Sequence, residues 1–347
     1  MDLSSLLAWR SSCIINYAHA TAALKRSLIS VINPFLSHPA NLLRIISRYG
    51  AVIGGEGALA FVRRPRTFQP HSLEIFTSAS LYASLCHEVL TDPLMLPDII
   101  TTISTVYQYP QNAQREVLET TQIILRNTRS IYIRRSSTLS PLSPIVRSIC
   151  TALVNFVTPH SFGCAYPLLT LNDKSLLSGL AEGTLGEFDT GILRLLAEQQ
   201  IDTAVDPSSW PQYRLWSPDL SIPNTSGACW RSHYICPNQG RFFGDGGSIV
   251  DFVDPIGIPT PTLQEQGHPP FGTVVIWRMY SSYQCPLACE SRDNTLPVGQ
   301  MSTPVIMMDD PFPYTRGRSV MRGRTAASAS GYSQHIAHAQ KSRSTSL

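Results

Sequence analysis

Two neighbouring segments near residue 60 carry the residue types that a phosphate-binding site needs. The first, Val52–Phe61, reads VIGGEGALAF and predicts a short strand that ends in Gly54-Gly55 and passes directly into a helix. Unpaired backbone N–H groups and the positive end of the helix dipole would then face an anion, and the glycines would let it approach the backbone. The candidate phosphate-binding residues are therefore Gly54, Gly55 and Glu56.

The second segment, Ser72–Phe76, alternates polar and apolar residues and predicts a strand. Its Glu74 is the candidate catalytic residue, because a carboxylate on the outward face of this strand could hold Mg²⁺ beside a bound phosphate. A structural interpretation of both features stays open. Gly54-Gly55 would then be a tight strand-to-helix turn, and Glu74 a solvated strand residue.

These segments resemble the nucleotidyltransferase-like superfamily, whose pattern is a strand, Gly-Gly or Gly-Ser, a helix, and a strand with two acids separated by one apolar residue. The chain is more similar still to a set of uncharacterised proteins from mushroom-forming fungi that carry this fold in degenerate form. The resemblance covers residues 40–300. It extends through residues 136–170, the run from Cys236-Pro237 to Gly247, and Val275–Arg278.

The resemblance implies a site that has lost most of its acids. In an active member the two acids would fall at Ser72 and Glu74, so only the second is present. A third acid is expected on the later strand 131–134, which has Tyr132 and Arg134 instead. Two divalent ions ~3.5–4 Å apart need several anionic ligands. We therefore expect a non-catalytic binding or scaffold module, with a residual phosphate or nucleotide pocket and no required cofactor.

Two other functions stay open. An active nucleotidyltransferase would require Mg²⁺ and at least two carboxylates beside Gly54-Gly55. A zinc-stabilised nucleic-acid-binding protein would use four cysteine ligands, for which the candidates are Cys229, Cys236, Cys285 and Cys289. Their spacings are C-x6-C and C-x3-C, and only the second fits the short loops of structural zinc sites. The sequence names no partner and leaves a protein partner open.

The positive charge of the chain is concentrated at its C-terminal end. Of its 27 Lys and Arg residues, six follow Asp310, whereas none of its 24 Asp and Glu residues does. The rest of the chain therefore has 21 cations against 24 acids. A basic tail attracts nucleic acid, although a solvated terminus is the simpler interpretation. We expect a disordered tail with at most a weak nucleic-acid contact.

Composition limits the class of protein. With 43% hydrophobic and 15% charged residues, the chain is not a highly charged disordered protein over most of its length. No apolar run approaches the ~18 residues of a membrane-spanning helix. The N-terminus has Asp2 and does not read as a secretory signal. Eight dispersed cysteines are typical of reduced thiols. We therefore expect an intracellular protein, cytoplasmic or nuclear, with no membrane contact.

The elements that must position the candidate site follow from the spacing of apolar residues. Helices are predicted over 3–31, 39–50, 56–62, 79–90, 97–107 and 112–119, and after Pro141. Strands are predicted over 73–77, 122–126, 131–134 and 274–278, of which 122–126 and 131–134 form a hairpin. This order favours an α+β (mixed α/β) fold, with a small mixed sheet flanked by helices.

Four segments differ in composition. The sequence predicts an N-terminal helical segment over 1–38 and a nucleotidyltransferase-like α/β domain over 39–200. From about Asp202 proline, glycine and aromatic residues become frequent and the periodicity weakens, which predicts an irregular extension over 201–313. The disordered basic tail is predicted over 314–347.

Overall fold

The computed structural model describes residues 1–64, 68–107, 116–178, 187–215, 229–253 and 275–279. The chain divides into two units, Met1–Pro311 and Phe312–Leu347, and every described residue belongs to the first. The predicted tail over 314–347 lies outside the described residues.

Helices and strands alternate along the described residues. The helices are α1 (Leu3–Arg10), α2 (Ile14–Ile32), α3 (Pro39–Arg48), α4 (Gly55–Val62), α5 (Tyr82–Thr91), α6 (Ser143–Val146), α7 (Pro167–Thr170), α8 (Glu187–Glu198) and α9 (Pro211–Arg214). The strands are β1 (Val52–Gly54), β2 (Ser72–Thr77), β3 (Ile99–Val106), β4 (Val117–Leu125), β5 (Ser130–Ser136), β6 (Asn155–Val157), β7 (Ser161–Cys164), β8 (Lys174–Leu176), β9 (Asp202–Ala204), β10 (Arg241–Phe242), β11 (Ile249–Phe252) and β12 (Ile276–Trp277). The predicted mixed α/β class is confirmed.

Eight of these strands form one mixed sheet in the order β11-β7-β6-β1-β2-β5-β4-β3. Strand β2 runs antiparallel to β1 and parallel to β5, and every other pair of neighbours in this sheet is antiparallel. Strands β8 and β9 form a separate pair, as do β10 and β12. The candidate site lies at the centre of the large sheet, where β1, β2 and β5 are neighbours.

Two apolar clusters cover the faces of this sheet. The helix-side core contains Leu73 and Ile75 of β2 together with residues of α1 to α5. The aromatic core contains Val52, Phe76 and Phe156. It also contains aromatic residues from beyond position 200, namely Trp210, Tyr213, Trp230 and Trp277. The described part of the predicted extension therefore packs against the strands that carry the candidate site.

Several predicted elements are present. The helices predicted over 3–31, 39–50, 56–62 and 79–90 correspond to α1 with α2, α3, α4 and α5. The predicted hairpin corresponds to β4 and β5, which pair antiparallel. Among the described helices, none combines the length and apolar character required to cross a membrane.

Other helix predictions are wrong. Residues 97–107 contain strand β3 because seven of the eight residues Ile99–Val106 are β-branched, which favours a strand over a helix. The described end of 112–119 begins β4. The helix predicted after Pro141 is reduced to α6, and Asn155–Val157 form β6. Phe156 lies in the aromatic core and Val157 in the helix-side core, which requires the alternating side chains of a strand.

Candidate functional site

The Gly54-Gly55 step joins β1 to α4 without an intervening residue. Gly55 has a φ of 56°, in the left-handed region that favours glycine. A Cβ atom on Gly55 would overlap Oε2 of Glu74, and one on Gly54 would lie 2.7 Å from the ring of Phe76. The glycines therefore do allow a close approach to the start of α4, but the group that approaches Gly55 is a side chain of the protein.

Glu74 occupies the space in which the sequence predicts a phosphate. It lies opposite Gly54 on β1 and opposite Tyr132 on β5, so the three residues share one face of the sheet. Its Oε1 forms an ion pair with Nη2 of Arg134, while Oε2 faces Gly55. The Glu74 and Arg134 side chains are only 14% and 12% exposed. A carboxylate thus lies at the positive N-terminal end of α4, where it interacts favourably with the helix dipole.

Arg134 is held beside Glu74 by two aromatic rings. Its guanidinium carbon lies 5.5 Å from the ring centroid of Tyr132 and 6.0 Å from that of Phe76. Phe76 is the residue directly opposite Arg134 in the β2–β5 ladder. These distances allow cation–π attraction at both rings. The cation therefore has a defined position next to Glu74.

Glu56 faces away from the predicted phosphate, toward the segment that enters β2. Its Oε2 accepts a hydrogen bond from the backbone N–H of His71 at 2.7 Å and lies 3.4 Å from Nδ1 of the same residue. Burial raises the pKa of Glu56, and the negative charge of Glu74 raises it further. Glu56 and Glu74 are therefore electrostatic neighbours, but each carboxylate already has a partner of its own.

The arrangement does not fit the Mg²⁺ that the resemblance in sequence implies for an active enzyme. The carboxylate that would ligate the ion, Glu74, is neutralised by Arg134. A second cation at this position would be repelled by the guanidinium. Ser72, at the other predicted acid position, lies opposite Ser130 and supplies no charge. Within the part of the chain that the structure describes, no three His, Cys, Asp or Glu side chains are grouped to hold a metal ion.

Two of the four cysteines predicted as zinc ligands are described. Cys229 is half-buried at the start of the short 3₁₀ helix Trp230–His233. Cys236 is buried in the aromatic core. Cys285 and Cys289 lie outside the described residues, so the four-cysteine site stays a prediction.

A buried charged cluster beyond residue 230 was missed by the sequence analysis. The guanidinium of Arg241 makes two hydrogen bonds to the carboxylate of Asp245, at 2.6 and 3.0 Å, and is fully buried. It also donates to the carbonyl oxygens of Ala165 and Tyr234. The ring of Tyr166 lies 4.5 Å from the guanidinium carbon. The sequence offered one signal for this cluster, namely an Arg and an Asp four residues apart beside a glycine-rich turn.

At the centre of the sheet, the Glu74 carboxylate thus pairs with Arg134 and faces Gly55 at the start of α4. No family model, curated protein or solved structure matches the chain.

Proposed function

We propose that this protein is a non-catalytic relative of nucleotidyltransferases that acts as a binding or scaffold module. Its own Glu74 takes the position of the phosphate that the ancestral site would bind. The observation that carries the proposal is the Glu74–Arg134 ion pair lying over Gly55 at the start of α4. Arg134 stands on the strand where metal-dependent nucleotidyl transfer would require an acid, and it pairs with the one acid that is present.

The charge balance of the pair supports an inert site. Arg134 cancels the charge of Glu74, so the pair offers no net negative charge to a divalent cation. A phosphate entering beside the occupied position would meet the Glu74 carboxylate. Because Oε2 of Glu74 already fills the space over Gly55, and Arg134 is already paired with Glu74, a phosphate would have to displace this side chain to reach the N-terminal end of α4.

Phosphate binding by a Glu74→Ala variant tests the proposal. The substitution empties the space over Gly55 and removes the carboxylate that pairs with Arg134 beside the α4 N-terminus. We expect the wild-type protein to show no binding of pyrophosphate or ATP, with or without Mg²⁺, in a calorimetric titration. Glu74→Ala should gain Mg²⁺-independent pyrophosphate binding. The matched control is Glu74→Gln, which removes the charge but keeps most of the volume and should bind far more weakly.

Measured turnover distinguishes the alternatives. Mg²⁺-dependent nucleotide transfer by the wild-type protein, lost in Glu74→Ala, would replace the proposal with an active enzyme.

Metal analysis addresses the zinc alternative. About one equivalent of zinc per chain, lost on substitution of Cys285 or Cys289, would establish a metal site in the predicted extension.

A further inference from the structure

Strand β3 is an edge of the large sheet as the described residues form it. It is the last strand in the sheet order, and among the described residues its only strand neighbour is β4. Its pairing with β4 is regular from Thr101 to Val106 and has a register shift between Ile99 and Thr101. Its eight residues, IITTISTV, include no charged residue, proline or glycine. Residues 100–106 are all exposed, and they include Ile100 at 61%, Ile103 at 49% and Val106 at 68%. The outer side of β3 thus presents backbone hydrogen-bonding groups flanked by apolar side chains.

The opposite edge of the same sheet is protected by short length and by charge, two features that β3 lacks. Strand β11 has four residues and carries Asp251, which forms an ion pair with Arg10 at 3.4 Å. Short length and charge are the usual ways in which proteins prevent an edge strand from pairing with another chain. A neutral eight-residue edge with exposed isoleucines is a template for such pairing. The groups that need a partner are backbone N–H and C=O groups, so the partner must be an extended strand.

The side chains of β3 indicate which strand would pair with it. From Ile100 to Val106 the sequence alternates one apolar residue with two hydroxyl residues, and the pattern is the same in both directions. In an antiparallel pair centred on Ile103, Ile103 would lie opposite its own copy. Thr101 would lie opposite Thr105 of the second copy, and Thr102 opposite Ser104. Every apolar side chain would then face an apolar one, and every hydroxyl a hydroxyl.

We propose that β3 is a homodimer interface in which two copies of the chain pair antiparallel about a two-fold axis at Ile103. The axis is perpendicular to the sheet, so rotation about it keeps each side chain on its own face. In every pair about Ile103 the two residue numbers add to 206 and are both odd or both even, so opposite side chains lie on the same face. Cross-strand pairs of β-branched residues and of hydroxyl residues stabilise such a ladder. The absence of charge in β3 removes the like-charge repulsion that a self-paired edge would otherwise suffer.

A second copy fits this edge better than an unrelated peptide does. The symmetric pattern complements itself in one register, as a two-fold interface requires. A neutral strand has no charge with which to select a charged peptide. Because one strand pair buries less area than a standard protein interface, the dimer is expected to be concentration-dependent.

Analytical ultracentrifugation of the full chain over a range of concentrations tests the proposal. We expect the wild-type protein to approach twice its monomer mass as concentration rises. Ile103→Lys places two lysines opposite each other at the axis and should give a monomer at every concentration. The control is Ile14→Lys, the same change at an isoleucine of α2 that is 84% exposed, which should leave the dimer intact. Circular dichroism verifies that each variant is folded.

Charge reversal then tests the register. Ile103→Glu alone should also be monomeric, whereas an equal mixture of Ile103→Lys and Ile103→Glu should recover the dimer, because only a self-paired residue 103 brings Lys opposite Glu. In an independent check, Ile103→Cys should cross-link to itself on mild oxidation with copper phenanthroline. Thr101→Cys should cross-link only when mixed with Thr105→Cys, since a disulfide needs Cα atoms within about 7 Å. Peptide mapping separates these links from those of native cysteines.

A wild-type protein that stays monomeric throughout the concentration range would overturn the proposal. So would a dimer that survives Ile103→Lys, or folded charge variants whose mixture fails to associate. In either of the latter cases the chain associates through another surface or register.

Discussion

Glu56 and Glu74 lie at the same end of α4 and have different partners. Glu74 is paired with Arg134, a cation held by aromatic rings, whereas Glu56 accepts a hydrogen bond from the backbone N–H of His71. At the scale of the residue, therefore, the protein itself engages both carboxylates. Glu74 lies at the N-terminal end of a helix, and Glu56 binds the backbone of a loop.

The close approach of Glu74 to Gly55 predicts the effect of a single methyl group. Gly55→Ala introduces a Cβ atom that overlaps the Glu74 carboxylate, at a φ of 56° that other residues rarely adopt. We expect it to lower the free energy of unfolding by about 2–4 kcal/mol, since strained backbone and forced repacking each cost ~1–3 kcal/mol. Gly191→Ala in α8, where a Cβ atom would meet no atom within 4 Å, should be neutral or stabilising by up to ~1 kcal/mol. Urea unfolding measures both, and similar losses in the two variants would contradict the argument.

The raised pKa of Glu56 predicts that the free energies of unfolding of the wild-type protein and of Glu56→Gln differ by an amount that depends on pH. Burial and the charge of Glu74 raise that pKa, so the folded protein keeps the Glu56 proton to a higher pH than the unfolded chain does. As the pH rises above the ordinary glutamate pKa of about 4.3, the unfolded state loses the proton first and the free energy of unfolding falls. Glu56→Gln removes this loss and keeps an oxygen for the His71 N–H. We expect the variant to be more stable than wild type in urea unfolding at pH 7.5, with the difference gone at pH 3.5. A stabilisation that grows on acidification would show the opposite linkage.

At the scale of elements, the predicted irregular extension is held by a buried ion pair. Arg241 of β10 bonds to Asp245 in the turn before β11 and to the carbonyl oxygen of Ala165, directly after β7. One guanidinium thus connects the β10–β11 loop to the strand that pairs with β11. Periodicity is weak in this region because polar contacts to backbone carbonyls, in addition to apolar stripes, fix its path.

Removal of this guanidinium should be strongly destabilising. Arg241→Met leaves the buried Asp245 carboxylate without its ion-pair partner and two backbone carbonyls without their donors. We expect a loss of about 3–5 kcal/mol in the free energy of unfolding, as for other broken buried pairs. Arg44→Met is the control, because Arg44 is 44% exposed and its pairs with Glu88 and Asp92 should contribute no more than ~1 kcal/mol. Thermal and urea unfolding of both variants measure the difference. Equal losses would mean that the buried Arg241 pair contributes no more to stability than an exposed ion pair does.

At the scale of the whole molecule, both apolar cores combine residues from distant parts of the chain. Leu24 and Leu28 of α2 lie in the helix-side core with Leu73 of β2. Trp230 and Trp277 lie in the aromatic core. The sheet therefore depends on segments that precede and follow the predicted α/β domain over 39–200.

This sharing predicts that residues 39–200 do not form a stable domain alone. The fragment lacks the α2 contribution to one core and the tryptophans of the other, which leaves both sheet faces partly uncovered. We expect a fragment with no cooperative thermal transition that binds a hydrophobic dye. Residues 1–311 keep every described residue and should unfold cooperatively. A sharp transition in the short fragment would instead establish 39–200 as an independent domain.

Local signals account for the elements that were predicted correctly. Pro39 begins α3, Gly54 ends β1 where Gly55 begins α4, and the short turn between β4 and β5 forms the hairpin. These features depend on residues within a few positions of each other. The three-residue spacing of Ile100, Ile103 and Val106 was misleading, because it matches a helix face although the residues form the edge strand β3.

The candidate site also combines local features that the sequence predicts with a long-range contact that depends on the tertiary structure. The amino-acid order alone was sufficient to indicate a strand-to-helix step with two glycines, a glutamate on the next strand and too few acids for a pair of metal ions. It was not sufficient to show that Glu74 meets Arg134, which lies 60 positions further along the chain. That contact depends on the parallel pairing and register of β2 with β5, which the packing of both cores selects. Backbone conformation near a glycine is a local property, whereas the partner of a buried charge depends on which distant strands become neighbours.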